Sequence, residues 1–197
     1  MIKISFGNRK LPKDTLIFNI PARVTCPGRT ELCGGACYAL KAEKMYMAVL
    51  PARQGNFEAS RENSFIADMI TVIYKSSHKI KRVRVHESGD FYNQRYLGSW
   101  FSIAREFPGI TFYAYTKSFH LDFKGLPDNF VLIASFDQTT REASRLTYES
   151  KKKKYFSNTF TIVDRKAPAT KSTCPGDCRT CSRCWMAKGK NILVNLH

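Results

Sequence analysis

The chain has 197 residues, 32 Lys+Arg against 16 Asp+Glu for a formal charge of +16, and seven cysteines. That length buries a core without covalent staples, so a single domain over residues 1–197 is expected and disulfides are not needed to stabilise it. No segment has the make-up of a secretory leader, and no apolar run reaches the roughly 18 residues of a membrane span, which excludes a membrane partner and points to the cytoplasm.

The elements alternate along the chain. Leu16–Ile20 reads as a first strand ended by Pro21, and Cys37–Leu50 as a helix stopped at Pro51. Phe57–Tyr74 is a second helix, with Phe65, Ile66, Met69, Ile70 and Ile73 on its apolar face. Lys81–His86 alternates Val83 and Val85 with basic residues, as a strand does, and runs into the turn Glu87-Ser88-Gly89-Asp90. Gln94–Phe107 has helical spacing of large apolar residues and ends at Pro108-Gly109. Ile110–Tyr115, Phe130–Ser135 and Phe160–Val163 follow as strands, with a polar helix over Gln138–Ser150 leading into Lys151–Lys154, and Asn191–Leu196 as a sixth strand. This alternation predicts an α/β fold: a largely parallel sheet with flanking helices, in the form of a partial (β/α) barrel of about six strands. In such folds the functional loops follow the C-terminal ends of strands, where Cys26 and the turn after His86 both fall.

The cysteines form two loops, over residues 25–38 and 173–185. Cys26, Cys33 and Cys37 have the spacing C-x6-C-x3-C, and Cys174, Cys178, Cys181 and Cys184 the spacing C-x3-C-x2-C-x2-C. Each loop opens on Thr-Cys-Pro-Gly, at Thr25–Gly28 and Thr173–Gly176. Reduced, clustered thiols in a cytoplasmic chain are metal ligands before they are disulfides. Zinc accepts four thiolates equally well, but its ribbons usually separate two C-x2-C knuckles by a long loop. Close-set cysteines resemble ferredoxin-type binding, so two [4Fe–4S] clusters are expected, with zinc as the alternative. Three thiolates leave a coordination position open to a small-molecule ligand. Cys184 either joins its neighbours, leaving the early triplet open, or caps that triplet; short loops favour the former. Arg29, Arg179, Arg183 and Lys188 adjoin the cysteines and are candidates to offset thiolate charge.

The spacing of Cys174, Cys178 and Cys181 resembles that of radical S-adenosylmethionine enzymes, whereas the early triplet has their position after the first strand. The turn Ser88-Gly89-Asp90 is similar to the glycine-rich turn that holds the S-adenosylmethionine amino group in that superfamily. The resemblance implies S-adenosylmethionine as cofactor, with Ser88, Gly89, Asp90 and Tyr115 binding it. The candidate catalytic groups are His86, Glu87, Asp90 and Lys117. His86 is a candidate proton carrier or ligand, although a hydrogen-bonded turn histidine is equally ordinary. Tyr113, Tyr115 and Lys117 alternate onto one sheet face, where Lys117 would meet an anionic group, with His120 just beyond.

Five segments together resemble the bacteriophage gene product 88 family: Cys26–Ala39, Pro51-Ala52-Arg53, His86–Tyr92, Phe112–Ser118 and the late cysteine run. The resemblance implies a phage-encoded protein at work in the cytoplasm of a bacterial host, and no particular reaction. The sequence therefore supports an iron–sulfur protein with radical S-adenosylmethionine-like features, possible enzymatic activity following from the cofactor alone. The alternative is a nucleic-acid-binding module with structural clusters or zinc, since a charge of +16 favours polyanions, although it also serves solubility.

Overall fold

A computed structural model of the chain describes residues 2–163, 168–186 and 188–196. Among these, one sheet has seven strands in chain order. β1 (Ile4–Phe6) lies antiparallel to β2 (Thr15–Phe18), with Ile4 opposite Phe18. β3 (Arg82–Val85), β4 (Thr111–Thr116), β5 (Phe130–Phe136), β6 (Asn158–Val163) and β7 (Asn191–Asn195) then each run parallel to the strand before. Because the order never reverses, the sheet is wound in one direction, as in a barrel, but its ends do not pair and it stays open.

Single winding gives the two faces different work. On the outer face, Phe18, Val83, Val85, Phe112 and Leu132 meet the apolar stripes of α4 (Phe65–Ser76) and α5 (Gln94–Arg105). Trp100 of α5 anchors this layer, its ring 5.2 Å from Phe18 and 5.8 Å from Phe65. Each such side chain, fully buried, stabilises the fold by about 1.5–3 kcal/mol. Asn93 caps α5, its side chain accepting from the Tyr96 amide at 2.9 Å.

The inner face carries Ile17, Arg84, Tyr113 and Val131 in one cross-strand row, with Tyr115 and Ile133 one step further on. It is covered by the connection from β6 to β7, whose short helix α7 (Arg183–Met186) brings Cys184 and Trp185 against Tyr113, Ile133 and Ile192.

Several elements depart from the sequence reading. β1, too short to show a period, makes the strand total seven rather than six. Pro51 does not stop a helix: α2 (Tyr38–Met45) ends first, and Pro51 sits in the opening turn of α3 (Val49–Ala59), where no amide hydrogen is needed. The helix expected over Phe57–Tyr74 is broken between Ala59 and Phe65, where the Ser60 hydroxyl turns back to the Phe57 carbonyl. The helix expected from Gln138 begins only at Glu142, as α6 (Glu142–Thr147), because Asp137 holds Thr139 and Thr140 in a turn. The chain then continues through a π turn, Tyr148–Lys152, and a 3-10 turn, Lys153–Tyr155.

Candidate metal centre

The early cysteine loop leaves the C-terminal end of β2 and is fastened by the ends of the three strands that follow. Thr30 caps α1 (Glu31–Gly35), its hydroxyl oxygen accepting from the Cys33 amide at 3.1 Å while its proton goes to Asp137 Oδ2 at 2.6 Å. Asp137 also takes the Lys117 ammonium at 3.0 Å, and the two side chains are 0% and 8% exposed. Lys117 Nζ reaches Ser135 Oγ at 3.2 Å as well. The Leu32 amide donates to Thr139 Oγ1 at 3.0 Å. Gly28 lies so close to β4 that an added Cβ would stand 2.2 Å from the Lys117 carbonyl oxygen, so only glycine fits. Behind the loop, Glu43 accepts from the Ala22 amide at 2.7 Å and from Arg53 at 2.8 Å.

The predicted turn packs directly on this loop. The Asp90 amide donates to the Thr25 carbonyl at 3.2 Å, and the Asp90 carboxylate accepts from the Phe91 and Lys117 amides at 2.7 and 2.9 Å. Gly89 has φ +89°, and a Cβ there would be 2.3 Å from Ile20 and 2.7 Å from Thr25. Ser88 Oγ donates to the Ile20 carbonyl at 2.9 Å. Ser88 and Asp90 are thus engaged in shaping the cysteine loop.

Electrostatics ties the early thiols together. Burial, then Asp90, Cys33 and Cys37, push Cys26 up to about 12. Burial also raises Cys33, with Lys117 opposing and Cys37 reinforcing. Burial raises the Asp90 carboxyl against the pull of its hydrogen bonds. Burial acts the same way on Asp137, but Thr30 and Lys117 outweigh it and hold that carboxyl below its ordinary range. A metal entering this loop must displace thiol protons.

The late loop is fixed at its two ends and from the side. The Cys174 amide donates to the Leu193 carbonyl at 2.7 Å, the Cys178 amide to the Lys10 carbonyl at 2.9 Å, and Asn158 Nδ2 to the Cys184 carbonyl at 3.2 Å. Burial, then Cys184 and Cys174, push Cys178 up to about 11, with Cys181 adding to the effect. Burial raises Cys184, opposed by a hydrogen bond from the Tyr115 hydroxyl and by Arg84. Cys184 and Cys174 pack in one cluster with Tyr113, Ile133 and Ile192 on the inner face. In chemistry and grouping these donors suit a thiolate-ligated metal, although among the described residues no three Cys, His, Asp or Glu side chains are drawn together as ion ligands.

The remaining predicted residues divide. His86 has φ +73° and turns toward the outer layer, Nε2 2.8 Å from the Tyr96 hydroxyl and the ring 5.2 Å from Phe91. Burial, helped by Arg84, pushes it down to about 3, so the imidazole is neutral. Glu87 accepts from Asn8 Nδ2 at 2.8 Å, and its carbonyl takes the Tyr38 hydroxyl. Tyr113 and Tyr115 face the late loop, while His120 is exposed. Sequence reasoning missed Arg84, Asp137, Thr30 and Tyr38. Asp137 had a signal, an acidic residue just past the predicted fourth strand; Arg84 had none, because basic residues alternating with valine read as a solvent face.

The family model described as "Gene product 88" matches residues 2–161. The chain belongs to the gene product 88 family. Its relatives include the "Gene 88 protein" of Mycobacterium phage D29, 31% identical over an alignment of 102 residues, with 47% of this chain and 42% of that protein covered. The "Gene 88 protein" of Mycobacterium phage L5 is 30% identical over 102 residues, 47% of this chain and 43% of that protein. The chain thus spans less than half the length of these curated relatives. No solved structure matches. The gene product 88 match includes the early cysteine loop and the Ser88-Gly89-Asp90 turn and ends before the late cysteines, so the resemblance noted in that late run lies outside the matched stretch. Among the described residues no helix is long and apolar enough to cross a membrane.

Proposed function

We propose that this member of the gene product 88 family is an iron–sulfur protein with two [4Fe–4S] clusters, a closed one on Cys174, Cys178, Cys181 and Cys184 and one on Cys26, Cys33 and Cys37 with an iron open to a small ligand. S-adenosylmethionine is the ligand proposed, and when bound to such a cluster it supplies a carbon radical by reductive cleavage. One observation carries the reading: the three-thiol loop at the C-terminal ends of β2 and β3 packs on the Ser88-Gly89-Asp90 turn, while the late loop lays Cys174 and Cys184 on the inner face of the same sheet. Asp90, Asp137 and Lys117 orient the early loop, and Tyr113 and Tyr115, with Arg84 stacked on them, line the inner face beneath the late set. The close spacing of the cysteines favours iron–sulfur over zinc.

Anaerobic purification followed by iron, sulfide and zinc analysis tests the proposal. Iron and sulfide in equal amounts, a Mössbauer component for one distinct iron, and release of 5′-deoxyadenosine on reduction with S-adenosylmethionine are expected. Zinc without sulfide refutes the iron–sulfur assignment; clusters without 5′-deoxyadenosine refute the ligand.

A second reading, nucleic-acid binding, draws on the charge of +16 and on the exposed Lys151, Lys153 and Lys154. It requires an affinity whose logarithm falls linearly with the logarithm of salt concentration. Binding that is absent or insensitive to salt removes it.

A further inference from the structure

The arginines adjoining the late cysteines in sequence are committed elsewhere. Arg179 is exposed and paired with Asp177 at 2.6 Å, and Arg183 is exposed and donates to the Lys171 and Thr173 carbonyls at 2.9 and 3.3 Å. Arg82 stands 5.2 Å over the Trp185 ring, but its charge is matched by Asp14 at 3.1 Å. Arg84, in the middle of β3 on the inner face, is different. Its guanidinium stacks 3.9 Å over the Tyr115 ring and 5.1 Å from that of Tyr113. Its Nε donates to the His86 carbonyl at 2.9 Å. Among the described residues it makes no salt bridge, and Glu87 acts on it only at longer range.

A guanidinium stays charged at any physiological pH, and Arg84, half-buried on the inner face, has given up part of its hydration without gaining an anion. The groups around it point to the missing anion. Tyr113 and Tyr115, on which it stacks, pack in one cluster with Cys184 and Cys174. Tyr113, the other ring of the stack, meets Trp185 at 5.2 Å, next to Cys184.

We propose that Arg84 is the counter-cation of the late cysteine set: stacked between Tyr113 and Tyr115, it offsets the negative charge of the thiolates and raises the reduction potential of the cluster they hold. The inference rests on the iron–sulfur reading above and adds a partner from β3, about 90 residues away in sequence, that the cysteine motif does not contain. Arg84 touches no reacting atom; it acts as a positioning and tuning residue. A positive charge beside a cluster favours its more negative, reduced form.

The test uses the chain with Cys26, Cys33 and Cys37 replaced by serine, so that only the late set is loaded, and measures iron, sulfide and the midpoint of an anaerobic redox titration. R84M is expected to keep its iron and sulfide and shift the midpoint to more negative potential, with R84K close to the parent and Y115F shifted less than R84M. Full loading of R84M with an unmoved midpoint overturns the proposal. Should R84M lose its iron, R84K decides: retained iron with a midpoint near the parent upholds the role of charge, and loss of iron in R84K too shows that the planar stack alone matters and overturns it. Zinc without sulfide in the parent is a separate outcome, visible before any change at Arg84, and it removes the iron–sulfur reading along with the inference.

Discussion

His86 combines a left-handed backbone, a buried ring and one hydrogen bond to Tyr96. Its imidazole is held neutral down to about pH 3, whereas in the unfolded chain it takes a proton near 6.5. Between those values the unfolded state binds the extra proton, so folding stability falls as pH drops below 6.5, by about 1.4 kcal/mol per pH unit. Asp90, with its carboxyl raised, works the other way just above 3.8. His86→Asn tolerates the left-handed backbone and leaves Asp90 in place. Urea unfolding of both proteins from pH 7 to 4.5 should show the parent losing stability faster than the variant, and parallel slopes would refute a neutral buried histidine. Gly28 offers a steric test. Gly28→Ala drives a methyl group to 2.2 Å from the Lys117 carbonyl and should cost about 2 kcal/mol, read as a lower urea midpoint. The grouping of the cysteines into two loops was legible at this scale because it is a matter of residue type and spacing alone. Arg84 was not, because the tyrosines it stacks on are covered by a segment that returns about 90 residues later.

Among elements, the early loop is held by what lies at the ends of β4 and β5. Lys117 and Asp137 form a buried pair, and Asp137 passes the restraint to Thr30, which caps the helix carrying Cys33. Asp137→Asn leaves the buried ammonium without its anion and should destabilise the chain by about 3 kcal/mol. Lys117→Met in the same background should recover part of the loss, because it removes the stranded charge. If the double variant is no more stable than Asp137→Asn in denaturant melts, the pair is not what restrains the loop. Asp137 also sets a pH dependence opposite in origin to that of His86. With its carboxyl below the ordinary range when folded, it contributes stability above about 3.8 that is lost as pH falls further. The major elements of this scaffold were readable from periodicity, since β3, β4, β5 and α5 carry long runs that bury one face. Boundaries set by side-chain turns were harder. Asp137 delays α6, and Pro51 opens α3, because local hydrogen bonds and the tolerance of a first turn override the simple breaker rules.

For the whole molecule, alternation of strand and helix was enough to give a parallel sheet with helices on one side, since a chain wound in one direction has only one face to cover with its crossovers. Hidden in the sequence was the exception, a last crossover that lays the late cysteines on the inner face instead. The result is two thiol sets with separate supports: the early one held by Thr25, Thr30, Asp90 and Asp137, the late one by Leu193, Lys10 and Asn158. Sites without shared partners behave additively. Replacing Cys174, Cys178, Cys181 and Cys184 by serine should therefore remove roughly half of the bound metal and leave the early set loaded, and the reciprocal change at Cys26, Cys33 and Cys37 should do the converse. Metal analysis of the two variants beside the parent is the measurement. Loss of all metal from either one would mean that a single centre draws on both ends of the chain, a coupling for which the supports of the two loops provide no route.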